Sequence, residues 1–116
     1  MLTIYCYKNC STCKKAIKWL TTHNIEFLEK DIVKEHPDKN VLKAIYQKSG
    51  LPLKKFFNTS GKLYKENHLK EKLPTMSEEE QLSLLSSKGM LIKRPLLVND
   101  DLILLGFKED DYKNLL

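Results

Sequence analysis

Apolar and polar side chains alternate along residues 2–7 and then change to a helical period. In the first segment every second position faces one side, which predicts a β-strand with an inward face of Leu2, Ile4 and Cys6. After residues 8–9, apolar side chains recur at the spacing of an amphipathic helix, at Cys13, Ala16, Ile17 and Leu20. Lysines take the opposite face, and the pattern ends near residues 23–24. A strand that passes directly into a helix is therefore expected at the start of the chain.

Three further apolar runs complete a predicted sheet. A second strand is expected over residues 25–32, and its short connections to the helix favour a parallel pair with a right-handed crossover. Residues 90–98 and 102–107 flank the turn signal Asn99-Asp100-Asp101, which predicts a hairpin. The pattern therefore predicts an α/β fold with a mixed four-stranded sheet.

Residues 33–88, between the second strand and the hairpin, are predicted to form a helical insertion. Its main helices are bounded by capping and stop residues: Asp38 and Gly50 for the first, and the capping box Ser77 and Glu80 with Gly89 for the last. Shorter helical segments are expected over residues 53–57 and 64–73. A final helix over residues 109–116 would bury Tyr112 and Leu115.

The composition of the 116 residues fits one folded domain with a modest core. The formal net charge is +5, but the 20 basic residues are lysines with the single exception of Arg94, and acidic residues lie between them. Such scattered charge is typical of a solvated surface, so direct nucleic-acid binding is not expected. No run approaches the roughly 20 apolar residues of a membrane helix, and no signal-peptide pattern is present. We therefore expect a cytoplasmic protein with no membrane partner.

The segment Cys10-Ser11-Thr12-Cys13 lies where the first strand passes into the first helix. There Cys10 faces unpaired backbone N–H groups and the positive end of the helix dipole, which favour the thiolate, so Cys10 is predicted to be a nucleophile. Lys14 adds positive charge as a minor contribution. Cys13 follows on the same face at about 5 to 6 Å, close enough to form a redox-active disulfide with Cys10.

Other roles for the cysteines stay open from the residues alone. A zinc site would need two more ligands, and the three histidines show no ligand spacing, so no metal is expected. A static disulfide is the weaker alternative, because structural disulfides are rare in the cytosol. Cys13 also continues the apolar stripe of its helix and could be a small buried residue, and Cys6 is expected in the core.

Arg94-Pro95 is the second informative place. The only arginine of a lysine-rich chain stands directly before a proline at the start of a predicted strand. A planar guanidinium can hold two oxygens at once, which predicts a carboxylate or oxyanion clamp near Cys10, and a surface arginine is the alternative. The Arg94–Pro95 bond is a candidate for the cis form, which would fix the angle at which the strand begins.

Four segments together carry a resemblance to a known family: NCSTCK at residues 9–14, FFNTSG at 56–61, GMLIKRPLLV at 89–98 and GFKED at 106–110. Nearly the whole chain resembles the arsenate reductase (ArsC) and Spx family, small proteins whose thioredoxin-like core is interrupted by a helical insertion. The resemblance implies a single domain over residues 1–116 with the insertion at approximately 33–88.

The resemblance also implies a set of functional residues. In the family's reductases the cysteine at the place of Cys10 attacks arsenate, an arginine at the place of Arg94 holds the oxyanion, and glutathione with glutaredoxin completes the cycle. The backbone N–H groups of residues 11–13 would cradle the anion. The predicted substrate-binding residues are Ser11 and Thr12 of this segment, together with Lys14 and Pro95. The reductases use two further arginines, which this chain lacks, and Cys13 resembles the Spx branch, whose members sense disulfide stress and bind RNA polymerase.

The leading hypothesis is therefore a cytoplasmic arsenate reductase-like thiol oxidoreductase without a bound cofactor. Cys10 would attack a small oxyanion or an oxidised thiol, and either Cys13 or an external thiol, glutathione with glutaredoxin as partner, would resolve the intermediate. The alternative is an Spx-like redox-sensing regulator that binds RNA polymerase without catalysis. A folded relative with no chemistry is the third hypothesis.

Overall fold

The computed structural model describes residues 2–116, so that only Met1 of the predicted domain lies outside the described residues. One sheet contains four strands: β1 (Thr3–Cys6), β2 (Leu28–Asp31), β3 (Leu96–Val98) and β4 (Ile103–Leu105). Their order is β2-β1-β3-β4. The β1–β2 pair is parallel, and the β1–β3 and β3–β4 pairs are antiparallel. The predicted α/β class with a mixed four-stranded sheet is confirmed.

Residues 2–116 also form six α-helices: α1 (Ser11–Thr22), α2 (Lys39–Ser49), α3 (Lys62–Glu66), α4 (Leu69–Lys72), α5 (Glu78–Ser87) and α6 (Glu109–Tyr112). Short 3-10 turns cover Leu53–Phe56, Leu73–Thr75, Gly89–Leu91 and Lys113–Leu115. Helices α2 to α5 lie between β2 and β3, where the sequence predicts the insertion. Among residues 2–116, no helix has both the length and the apolar character needed to cross a membrane.

The helix boundaries of the insertion follow from local hydrogen bonds. The Asp38 carboxylate accepts the Val41 N–H at 2.9 Å at the start of α2, and Gly50 ends this helix in the left-handed region at φ 67°. At the start of α5, the Ser77 hydroxyl accepts the Glu80 N–H at 3.1 Å, and the Glu80 carboxylate accepts the Ser77 N–H at 3.0 Å. Both predicted helix starts are confirmed.

The sheet carries one apolar cluster on each face. On the first face, Ile4 and Cys6 of β1 pack with α1 and α6, and Tyr112 is completely buried there. On the second face, Tyr5 of β1 packs with Leu96 of β3 and with the helices of the insertion. The alternation of β1 therefore separates the two clusters, and the core position predicted for Cys6 is confirmed.

Several predicted elements are shorter in the structure than the sequence pattern indicates. Strand β2 covers Leu28–Asp31 rather than residues 25–32, and the final helix changes into a 3-10 turn in which Leu115 is only half-buried. The predicted strand over residues 90–98 begins as the 3-10 turn Gly89–Leu91, and only its end pairs with β1. Its middle instead forms an antiparallel bridge between Ile92 and Phe57. Hydrogen bonds to the insertion therefore replace the expected ladder.

Candidate functional site

Cys10 lies at the amino-terminal end of α1, as the N-cap residue. A turn between β1 and α1 places it there, closed by the Cys10 N–H donating to the Tyr7 carbonyl at 3.0 Å. The half-buried Cys10 sulfur accepts the Cys13 N–H at 3.4 Å, in the position usually taken by a capping oxygen. The sulfur is thus directed at one of the free amides of the helix, where negative charge is stabilised.

Cys13 lies one turn further along α1 and is 1% exposed. A hydrogen bond with the Cys6 thiol is the main cause that holds the pKa of Cys13 below its ordinary value. The Tyr7 N–H, which donates to the Cys13 sulfur at 3.5 Å, the Cys10 side chain and the charge of Arg94 act in the same direction, whereas burial opposes them. The same thiol–thiol hydrogen bond and burial raise the pKa of Cys6.

Arg94 is half-buried and held from two sides. Its Nη1 donates to the Met90 carbonyl at 3.2 Å, and its guanidinium carbon lies 5.2 Å from the centre of the Tyr7 ring. The Arg94–Pro95 peptide bond is cis, as predicted. Pro95 is buried, and its carbonyl accepts the Gly106 N–H at 2.9 Å. These contacts fix the guanidinium beside the β1–α1 turn.

One cleft of about 420 Å³ joins the two predicted centres of chemistry. Its lining residues come from four parts of the chain: Cys10, Thr12, Asn58, Ser60, Gly61, Lys93, Arg94, Leu105, Gly106, Phe107 and Lys108. Of the predicted site residues, Cys10, Thr12 and Arg94 thus meet at one place. Ser11 and Lys14 are exposed to solvent outside this lining, while Cys13 and Pro95 are buried next to residues that line it.

The sequence did not identify the loop after the Leu53–Phe56 turn as part of the site. The Asn58 N–H donates to the Leu91 carbonyl at 2.8 Å, and the Gly61 N–H donates to the Asn58 carbonyl at 3.0 Å. The Ser60 hydroxyl donates to the Asn58 side-chain oxygen at 3.4 Å. This loop therefore brings amide and hydroxyl groups to the cleft wall. Its signal was the polar run at residues 58–61, which belongs to the FFNTSG segment of the family resemblance but received no role in the site.

Two further cleft residues, Lys93 and Lys108, also went unassigned, because nothing in the pattern separates them from the other lysines. Among residues 2–116, no group of three or more His, Cys, Asp or Glu side chains is arranged to hold a metal ion. The cleft chemistry is therefore built from a thiol, a guanidinium, amides and ammonium groups.

Comparisons with known proteins agree with this geometry. The family model described as "ArsC family" matches residues 5–115. The protein YusI of Bacillus subtilis is 57% identical over 112 residues, which cover 97% of this chain and 95% of YusI. The global transcriptional regulator Spx of Enterococcus faecalis is 29% identical over 116 residues, covering 100% of this chain and 86% of the regulator.

A solved structure shows the same architecture. The crystal structure of an ArsC-family-related protein from Bacteroides fragilis superimposes with a TM-score of 0.96 at 51% identity, over 98% of this chain and 96% of that one. The thioredoxin-like core predicted from the sequence is thereby confirmed. Because the family match contains the sheet from Tyr5 onward, the Cys10 turn and the Arg94 strand, the chain belongs to the ArsC family.

Proposed function

We propose that this protein is an arsenate reductase-like thiol oxidoreductase in which Cys10 is the nucleophile and Arg94 holds the negative charge of the substrate. The observation that carries the proposal is the Cys10 sulfur, which accepts an amide N–H at the start of α1 in a cleft that Arg94 also lines. A helix amino terminus stabilises a thiolate, and a planar guanidinium can hold two oxygens.

With an oxidised thiol as substrate, the Cys10 thiolate attacks one sulfur of the disulfide. A Cys10 mixed disulfide forms, the substrate S–S bond breaks, and the other sulfur leaves as a thiolate. The Cys13 thiolate then attacks the Cys10 sulfur, which closes the Cys10–Cys13 disulfide and releases the second thiolate, so that two electrons pass to the substrate. The lowered pKa of Cys13 supports this role, because only the thiolate attacks. An external thiol, such as glutathione with glutaredoxin, regenerates the dithiol.

With arsenate as substrate, the Cys10 thiolate displaces hydroxide from arsenic. A second thiolate then attacks the Cys10 sulfur, and the electron pair of the S–As bond stays on arsenic as arsenite leaves. Arg94 is the only guanidinium of the chain, and lysine does not reproduce its planar pair of donors. We therefore expect disulfides to react faster than arsenate. A higher rate of arsenate-dependent thiol oxidation, in the presence of glutathione and glutaredoxin, would reverse this order of substrates.

Mass spectrometry after mild oxidation with oxidised glutathione tests the assignment of the thiols. Wild-type protein should collect as the Cys10–Cys13 disulfide, whereas Cys13→Ser should keep a glutathione adduct on Cys10, because its resolving thiol is missing. Cys6→Ser serves as the matched control, and its disulfide should join Cys10 and Cys13 as in the wild type. A persistent Cys10 adduct in the wild type would assign the second step to an external thiol, and adducts that avoid Cys10 would contradict the proposal.

The second candidate function is a redox-sensing regulator. It is favoured by the match to an Spx regulator over the entire chain and by the closeness of Cys13 to Cys10. In this function the Cys10–Cys13 disulfide would change the surface shown to RNA polymerase, without turnover. A pull-down with RNA polymerase distinguishes the two functions. Binding by only one redox state, without catalysis, supports the regulator, and failure of both states excludes it.

Either function belongs in the cytoplasm under this proposal, because a thiol pair that must be reduced again needs a reducing compartment. Fractionation of cells that produce the tagged chain would test this location, with the tagged protein expected in the cytoplasmic fraction.

A further inference from the structure

A larger groove adjoins the Cys10 cleft beside the carboxyl-terminal hairpin. It encloses about 710 Å³ and shares Lys93, Leu105 and Lys108 with the lining of the cleft. Its walls come from the segment after α2, from β4 and from α6. Part of its surface is apolar, since the half-buried Leu51 and Leu105 contribute to the lining. The two spaces are therefore neighbours, separated by no more than the side chains that line both.

Lysines dominate the charge of this groove, which we call the lysine groove after Lys54, Lys55, Lys93 and Lys108. All four are exposed, and Asp111 is the one acidic residue in the lining. Within residues 2–116 none of the four makes an ion pair or a side-chain hydrogen bond. By contrast, two lysines of α2 are both paired with Glu79 of α5. Unneutralised charge of one sign in a concave surface attracts a ligand of the opposite sign.

Two of the four lysines, Lys93 and Lys108, also line the Cys10 cleft, whereas Lys54 and Lys55 line the groove alone. Lys93 precedes Arg94, and its side-chain stem lies over Gly106, where an added Cβ would approach Lys93 Cε to 3.3 Å. Lys54 and Lys55 line the groove but not the cleft that contains the Cys10 sulfur. The positive charge therefore extends from the cleft into the groove beside it.

The size of the groove distinguishes a small substrate from an extended one. Spaces of about 300 to 1,000 Å³ hold ligands of drug size, whereas a tetrahedral oxyanion has only a handful of heavy atoms. Such an anion would fit inside the cleft and leave the groove empty. A peptide with acidic side chains would reach the lysines of both spaces, and its apolar atoms would cover the half-buried Leu51 and Leu105.

We propose that the lysine groove binds an acidic peptide segment next to the reacting cysteine of an oxidised protein substrate. This inference rests on the proposed function and names its substrate class. Cys10 attacks the sulfur of that cysteine, a Cys10–peptide disulfide forms, and the former partner sulfur leaves as a thiolate. Attack by Cys13 then releases the peptide as a thiol and leaves the Cys10–Cys13 disulfide, so two electrons pass from the chain to the substrate.

The test uses three cysteine peptides of equal length, flanked by glutamate, glutamine or lysine and each joined to 2-nitro-5-thiobenzoate by a disulfide. Release of the coloured thiolate measures the attack by Cys10. We expect the glutamate peptide to react about tenfold faster than the glutamine peptide, and the lysine peptide to react more slowly than both. Added salt should remove most of this difference, because it screens exposed charges.

Two double variants that remove the same charge test whether the preference for the glutamate peptide comes from the lysine groove. The double variant Lys54→Gln, Lys55→Gln should bring the glutamate peptide close to the rate of the glutamine peptide. The double variant Lys15→Gln, Lys18→Gln removes the same charge from the exposed face of α1 and should keep the preference. Circular dichroism spectra verify that both variants are folded. An equal loss of preference in the two double variants would overturn the groove, because net charge alone would then explain it.

Two further outcomes separate the inference from the proposed function. If all three peptides react rapidly and at equal rates, the lysine groove does not bind acidic peptides, and the thiol chemistry stands. If no peptide reacts faster with the protein than with free cysteine, the proposed function fails as well. A mercaptosuccinate mixed disulfide serves as the small acidic probe. If this small probe reacts as fast as the glutamate peptide, and if its rate falls by the same factor in the Lys54→Gln, Lys55→Gln variant, the peptide assignment is wrong.

Discussion

Replacement of Gly89 by alanine tests the contact that holds the insertion against the sheet. A Cβ at residue 89 would lie 1.7 Å from the Ile32 carbonyl oxygen and 2.7 Å from its carbonyl carbon. Both are backbone atoms, so they cannot turn aside as the end of a flexible side chain can. The segment after β2 must therefore separate from the Gly89–Leu91 turn, whose Met90 carbonyl supports Arg94.

The loss in free energy of unfolding caused by Gly89→Ala can be estimated from the kind of contact. Overpacking a closed site typically costs 1–3 kcal/mol, and a backbone overlap at this distance belongs at the upper end, at about 3 kcal/mol. For a domain of this size, 1 kcal/mol shifts the melting temperature by about 4 °C, so we expect a fall of about 12 °C. Urea unfolding followed by circular dichroism measures the free energy directly.

Gly50→Ala is the matched control for the same substitution elsewhere. Gly50 has φ 67°, but its added Cβ would meet no atom within 4 Å. Only the left-handed backbone is then unfavourable for alanine, at about 1 kcal/mol. If Gly89→Ala unfolds within about 0.5 kcal/mol of the wild type, or is no less stable than Gly50→Ala, the close approach to Ile32 does not exist in solution.

Three other substitutions probe the thiols, the anion clamp and a helix start. Cys6→Ala removes the thiol that lowers the pKa of Cys13, so that pKa should rise. Displacement of a glutathione adduct from Cys10, followed by mass spectrometry, should then need a higher pH, because the attacking thiolate is the major form only above its pKa. An unchanged pH profile would contradict this. Arg94→Lys keeps the charge but loses the planar donors, so arsenate should protect Cys10 from iodoacetamide about tenfold more weakly; equal protection would show that the guanidinium does not bind the anion. Ser77→Ala should lower the free energy of unfolding by about 1 kcal/mol in urea and leave the thiol reactions unchanged, and a loss of thiol reactivity would contradict a purely local role.

The parts of the fold that the sequence predicts are those set by neighbouring residues. The capping residues Asp38 and Ser77 act within their own first helical turn, and the alternation of β1 reflects which side of one sheet each residue faces. The run over residues 90–98 is different, because its apolar character is satisfied equally by a sheet partner or by the insertion. Only the tertiary fold decides that Ile92 pairs with Phe57, so the longer predicted strand was wrong.

The residues of the candidate site also fall into those that the local sequence indicates and those that only the tertiary fold brings together. Cys10 was visible because a strand–helix junction leaves free amides, and Arg94 because it is the only arginine. The loop at Asn58 reaches the cleft through a hydrogen bond to Leu91, which no local pattern indicates. The effect of Cys6 on Cys13 likewise depends on how β1 and α1 face each other. Contacts between distant segments therefore supply what the sequence did not.

The distribution of positive charge bears on what this cleft selects. An oxyanion held by converging planar donors gains from each guanidinium at one point, and this chain has only Arg94 there. Its lysines instead line both this cleft, with Lys93 and Lys108, and the adjoining groove of about 710 Å³, where Lys54 and Lys55 are added. Because an ammonium attracts charge without imposing a planar geometry, such a set favours an extended acid of variable shape over a compact tetrahedral ion. The same helix-terminal thiol would then be directed at sulfur in an acidic peptide rather than at arsenic.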